Sequence, residues 1–151
     1  MRSALGMIEV TARDVVGVKP GELSVSVALY VGNHTTKLKL SCRNPGNTRP
    51  VGREFDGASV LGHHACKAGT DPRVMNDLKG APKGLRTSPT QSAPRYRSFL
   101  IVPLRGTRND AETVVGFVSI DCDQPYAFYG NRSQTIIVST MSVIELIQRI
   151  V

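Results

Sequence analysis

The chain predicts an α+β fold, and three observations carry that prediction. One helical apolar face opens the chain, a second closes it, and between them lie two pairs of apolar strands. In order, the periodicity gives helix, hairpin, short helices, long loop, hairpin, helix. At 151 residues it fits one domain spanning 1–151.

The first helix is predicted over Ala4–Val16, where Leu5, Ile8, Ala12, Val15 and Val16 share one face and Gly17 with Lys19-Pro20-Gly21 stops it. Leu23–Val31 alternates as a half-buried strand and turns at Gly32-Asn33, and Thr35–Cys42 is its partner. Asn, Pro, Gly and Arg dominate Arg43–Gly52, which reads as a loop. A short helix follows over Ala58–Lys67, and Asp71-Pro72 opens a further helical turn through Leu78. Breakers crowd Lys79–Pro94, which reads as a long mobile loop.

Ser98–Leu104 is a β-branched and aromatic strand with Pro103 near its end, where a missing N–H costs no ladder bond. The chain turns over Arg105–Glu112, and Val114–Ile120 runs back as a nearly unbroken apolar strand, with Gly116 marking a bulge or a close backbone approach. The last helix is predicted over Ser133–Val151. Its apolar residues cover an arc of roughly 220°, about twice the stripe one packing surface needs, so a second apolar surface is implied.

Composition bounds the function. Hydrophobic residues make up 40% with no Trp, so the core is aliphatic. No stretch approaches the roughly 20 apolar residues of a membrane span, and the N-terminus lacks a signal pattern, so a cytoplasmic protein with no membrane partner is expected. Three irregularly spaced cysteines make no disulfide framework. The net charge of +7 is spread through loops without interleaved aromatics, which argues against a nucleic-acid partner. His63, His64 and Cys66, with Cys42, lack the second ligand pair of a structural zinc site, so no metal is expected. No Gly-rich phosphate loop, Ser/His/Asp arrangement or catalytic carboxylate pair is present; Asp121 and Asp123 read as surface residues. The chain is therefore expected not to be an enzyme.

Tyr96-Arg97-Ser98 leading to Pro103-Leu104, paired with Gly116 through Ser119-Ile120-Asp121, resembles the GAF domain, a small-molecule sensor module. Gln124-Pro125-Tyr126-Ala127-Phe128 is similar to the family's lead into its last helix, and Phe55-Asp56-Gly57 with Gly62, and Asp71-Pro72 with Asn76-Asp77-Leu78, match weaker landmarks. The resemblance implies a GAF/PAS-like central antiparallel sheet of five or six strands, with terminal helices on one face and ligand-side helices and loops on the other. It implies a regulatory sensor that transmits binding through its terminal helices, and a homodimer through Ala4–Val16 and Ser133–Val151. The ligand surface is expected at Phe55, Ser59, His63, Asp77, Tyr96, Arg97 and Ser98, with Arg97 recognising an anionic group and Tyr96 stacking.

The family's cofactors are not indicated. Lys67 follows Cys66 where bilin-binding relatives carry His, and no Asp-Glu pair supports a cyclic nucleotide. Two alternatives accompany the sensor reading: a ligand-free interaction module, and an enzyme like the reductase of free methionine sulfoxide. Against the latter, Ser119 replaces one acidic position and no cysteine lies between Lys67 and Asp121. The chain ends at Val151 inside an apolar helix with no capping glycine, so it is expected to be a piece of a larger protein.

Overall fold

The computed structural model describes all residues except 33–35, 82–94 and 109. Most of the expected mobile loop, Lys79–Pro94, therefore lies outside the described residues. The observed elements are α1 (Arg2–Val16), β1 (Leu23–Tyr30), β2 (Lys37–Arg43), β3 (Glu54–Asp56), α2 (Leu61–Lys67), β4 (Arg73–Met75), β5 (Ser98–Arg108), β6 (Ala111–Cys122) and α3 (Asn131–Ile150), with single 3₁₀ turns at Gly57–Ser59 and Leu78–Gly80.

All six strands form one antiparallel sheet in the order β3-β2-β1-β6-β5-β4. The expected α+β, GAF-like architecture is present. Three local expectations are corrected. The segment after Asp71-Pro72 is the edge strand β4, ending in a 3₁₀ turn, because pairing with Phe99, Leu100 and Ile101 offers Arg73–Met75 a ladder that a lone helical turn lacks. The central hairpin is longer than expected, since Arg105, Gly106, Thr107 and Arg108 pair with Val114, Thr113, Glu112 and Ala111, with one register shift between Leu104 and Arg105. Pro103 consequently lies mid-strand. Its missing N–H is harmless there because β4 covers only residues 99–101 of β5.

Period-two alternation splits the strands between two cores. Leu23, Val25 and Val27 of β1, Leu100, Val102 and Leu104 of β5, and Val118, Ile120 and Cys122 of β6 pack against Leu5, Ile8 and Ala12 of α1 and Ile136, Ile144 and Ile147 of α3. Ala28, Phe99, Ile101 and Phe117 face the other way, toward Val60, Leu61, Ala65, Cys66 and Tyr96. Gly17 ends α1 in the left-handed region at φ 80, with its N–H donating to the Arg13 carbonyl. At Gly116 a Cβ would sit 2.2 Å from the Ala28 carbonyl oxygen, and the register shift of β5 against β6 falls beside it. Both readings of that glycine therefore hold. No helix among the described residues is long and apolar enough to cross a membrane.

Candidate functional site

On the sheet face opposite α1 and α3, the middle of the sheet is not apolar. Ser24 and Ser26 of β1 lie across from Asp121 and Ser119 of β6 in the strand register. These small and acidic side chains do not fill the layer, and a cavity of about 250 Å³ remains above Ser26, Ser119 and Asp121. Its wall is otherwise mostly apolar, with Ala28, Leu40, Phe55, Val60 and Phe117, and Tyr96 closes one side. A solvent-exposed sheet face would also carry serine and aspartate. Here the chain folds back over them, and all four are buried.

Three arginines line this cavity, Arg43, Arg49 and the exposed Arg53, and local hydrogen bonds explain how the first two reach it. Arg43 ends β2, and Asn44 continues the ladder by donating its backbone N–H to the Val25 carbonyl at 2.9 Å and accepting the Val25 N–H on Oδ1 at 3.0 Å. Asn47 then donates from Nδ2 to Ser24 Oγ at 2.7 Å and accepts the Arg49 N–H at 3.1 Å. The loop is tied to β1 at both points, which sets Arg49 above the sheet. Arg49 donates from Nη2 to Tyr96 Oη at 2.8 Å and stacks its guanidinium over that ring. Arg95 covers the ring too.

The electrostatics of the site are unusual for an interior. Arg43 is only 5% exposed, and among the described residues its Nε has no hydrogen-bond partner; the buried Arg49 Nη1 likewise has none there. Burial, aided by the neighbouring Arg49, pulls the Arg43 guanidinium below its ordinary value, while Tyr96 and Asp121 oppose that. Asp121 is also 5% exposed, which corrects the expectation of a surface residue. Burial pushes its carboxyl up to about 6, against the hydrogen bond from Ser119 Oγ at 2.8 Å and the charges of Arg49 and Arg43.

The residues expected to bind ligand are distributed over several places. Phe55 and Tyr96 are on the cavity wall. Arg97 forms a two-pronged ion pair with Asp77, at 3.1 Å from Nε and 2.9 Å from Nη2, which holds the Asp77 carboxyl below its usual range. Ser98 donates to the Gln124 carbonyl at 2.6 Å, and Ser59 is exposed. His63 is buried with Nδ1 2.8 Å from Tyr30 Oη; burial, then Lys67 and His64, lower its pKa, with Asp56 opposing. Arg43, Arg49 and Ser26 belong to the wall without having been singled out from the sequence, and Ser119 and Asp121, noted there only in weighing catalysis, belong to it too. A usable signal existed: the polar positions of β1 and β6 fall on one face of adjacent central strands, where a covered sheet has no solvent to offer them.

The thiols lie elsewhere. None of the residues lining the cavity is a cysteine. Cys66 is buried with its thiol pushed up to about 12 by desolvation, and burial raises Cys122 as well.

No protein-family model matches the chain, and no curated protein matches it. Solved structures do. A type II free methionine-R-sulfoxide reductase from Thermoplasma acidophilum is 20% identical, with a TM-score of 0.61 over 97% of this chain and 94% of that one. The GAF domain of a phosphoenolpyruvate-protein phosphotransferase from Coxiella burnetii is 15% identical, with a TM-score of 0.64 over 98% and 82%. The fRMsr of Staphylococcus aureus in its reduced form is 16% identical, with a TM-score of 0.63 over 96% and 81%. At such identities the likeness establishes the fold, which is GAF-like. It also corrects the expectation that the chain is not an enzyme. Reductases stand among the structures that share this scaffold, so the absence of a familiar catalytic motif does not separate this chain from enzymes.

Proposed function

We propose that this GAF-like chain is a regulatory sensor domain that binds a small molecule in the cavity between β1, β6 and the loop 43–53. One observation carries the reading: a largely apolar, roofed cavity whose wall holds buried guanidinium nitrogens with no hydrogen-bond partner among the described residues. Small-molecule sites combine an apolar wall with a few convergent polar groups in this way. An interaction module that fills its own interior has no use for them.

Signal transmission through the terminal helices belongs to the same proposal. The sheet residues that touch the cavity alternate with those that touch α1 and α3, so ligand occupancy bears on the helices through single peptide units of β1 and β6. Met7 and Val10 on α1, and Val138, Met141, Leu146 and Ile150 on α3, are exposed, which suits a homodimer through these helices. Different ligand affinities for two helix arrangements are what such a switch requires.

A thermal-shift screen against neutral metabolites, organic acids, amino acids and nucleotides tests the reading. A ligand at a hundred times its dissociation constant adds about 2.7 kcal/mol. Ala28→Trp, which fills the cavity, is expected to abolish the shift while the far-ultraviolet circular dichroism is kept. A shift that survives the filled cavity sinks the assignment. The shared fold with reductases favours a second reading, reduction of free methionine sulfoxide; turnover of that compound with a thiol reductant, lost in Asp121→Asn, would select it.

A further inference from the structure

We infer that the cavity takes a small monocarboxylate with an apolar tail, and that Asp121 competes with it for Arg43 and Arg49 from within the wall. The inference rests on the ligand-binding reading above and names the chemistry of the ligand. Its first support is the pair of unpartnered donors. The Arg43 side chain makes no hydrogen bond or ion pair among the described residues, and Arg49 spends Nη2 on Tyr96 while Nη1 stays sealed. A desolvated guanidinium is costly unless an anion meets it, and its fork of N–H groups matches a carboxylate.

The second support is charge balance. The lining carries three guanidiniums, the buried Arg43, the half-buried Arg49 and the exposed Arg53, against one carboxylate, Asp121. Positive charge is in excess whether or not Asp121 is ionised, so the wall favours an anion over a neutral ligand. The third support is shape. Ala28, Leu40, Phe55, Val60 and Phe117 offer the tail an apolar wall. At roughly 30 Å³ per water-sized atom, the cavity holds about eight heavy atoms.

The position of Asp121 adds regulation. The charged and titratable groups around it are Arg43 from β2, Arg49 and the exposed Arg53 from the following loop, and Tyr96 ahead of β5; Ser119 on its own strand donates to it. Ligand carboxylate and Asp121 then share the same two cations, so binding favours a protonated Asp121. Affinity falls as pH rises through the Asp121 titration, which burial has moved close to pH 6. An amino acid is the opposite case, because its ammonium group gains from an ionised Asp121 and its affinity rises with pH.

The test uses hexanoate, which has about eight heavy atoms like the cavity estimate, and its neutral counterpart hexanamide. Calorimetric or NMR titration of the full chain at pH 5.5 and pH 8 is expected to show hexanoate binding about tenfold tighter than hexanamide at the lower pH, a difference of about 1.4 kcal/mol. Hexanoate affinity is expected to drop about tenfold by pH 8, and Asp121→Asn to remove that drop. Arg43→Met is expected to lose hexanoate selectivity with circular dichroism unchanged; if that variant does not fold, Arg49→Gln serves the same comparison. Equal affinity for acid and amide overturns the inference and leaves the cavity as a binding site. Failure of hexanoate to bind at either pH also overturns it, and a cavity-dependent shift from a neutral compound in the screen then shows that the sensor reading stands apart. Affinity that rises with pH overturns the part given to Asp121.

Discussion

Asp121→Asn is expected to stabilise the unliganded protein near neutral pH and to leave it unchanged in acid. The carboxyl is raised from an ordinary 3.8 to about 6 in the fold, chiefly by burial. Between these values the unfolded chain ionises while the folded one keeps its proton. The folded state then binds more protons, so stability falls as pH rises through the window, and the full loss is present above about pH 6. At 1.36 kcal/mol per pH unit the loss is about 3 kcal/mol. Asparagine keeps the shape and the acceptor for Ser119 but cannot ionise. Thermal melts of both proteins, at pH 4 and pH 7.5, are the assay. For a chain of this size about 3 kcal/mol corresponds to roughly 6–12 °C. The gain is expected at pH 7.5 and should nearly vanish at pH 4. A variant less stable than the parent at pH 7.5, or a gain of equal size at both pH values, would refute the argument that burial governs this carboxyl.

Further outcomes follow from the packing around the cavity. A Cβ on Gly62 falls 2.3 Å from the Phe117 ring, so Gly62→Ala is expected to cost about 1–3 kcal/mol by overpacking, and Phe117→Leu in the same chain to recover most of it; denaturant melts decide. With its thiol raised to about 12, Cys66 is expected to resist iodoacetamide at pH 8 while the partly exposed Cys42 is labelled first, as mass spectrometry of timed digests will show; equal labelling rates would count against the burial argument. Arg97→Ala is expected to leave cavity binding within about twofold, because its guanidinium is engaged by Asp77; a loss of tenfold or more would place Arg97 at the ligand instead.

The scaffold was legible because its signals are local. Alternation in Leu23–Tyr30, the β-branched run before Leu104, the glycine at 17 and the helical face through Ile136, Ile144 and Ile147 each fix an element from its own residues. The three-residue strands β3 and β4 were not, since segments so short take their structure from the neighbour they pair with. The cavity was partly legible. Phe55 and Tyr96 came from the family pattern, but Arg43 and Arg49 sit in a segment whose composition says only that it is a loop. Their inward direction depends on Asn44 and Asn47 bonding to β1, contacts separated by about twenty residues that no local pattern encodes. Asp121 was misread for a related reason: a polar residue on a strand signals solvent or a covered site equally, and only the fold of the loop above it tells which.

The two-sided strands have a consequence for how such a domain changes over time. Along β1 and β6, even-numbered and odd-numbered positions answer to different masters: Val25, Val27, Val118 and Ile120 to the helices, Ser26, Ala28, Phe117, Ser119 and Asp121 to the cavity. A substitution at one set leaves the other side's surface atoms in place, so the two layers can drift independently. Binding preference can be rewritten on one face while the face that meets the helices keeps its sequence, and the unit of inheritance is then the alternate residue rather than the strand.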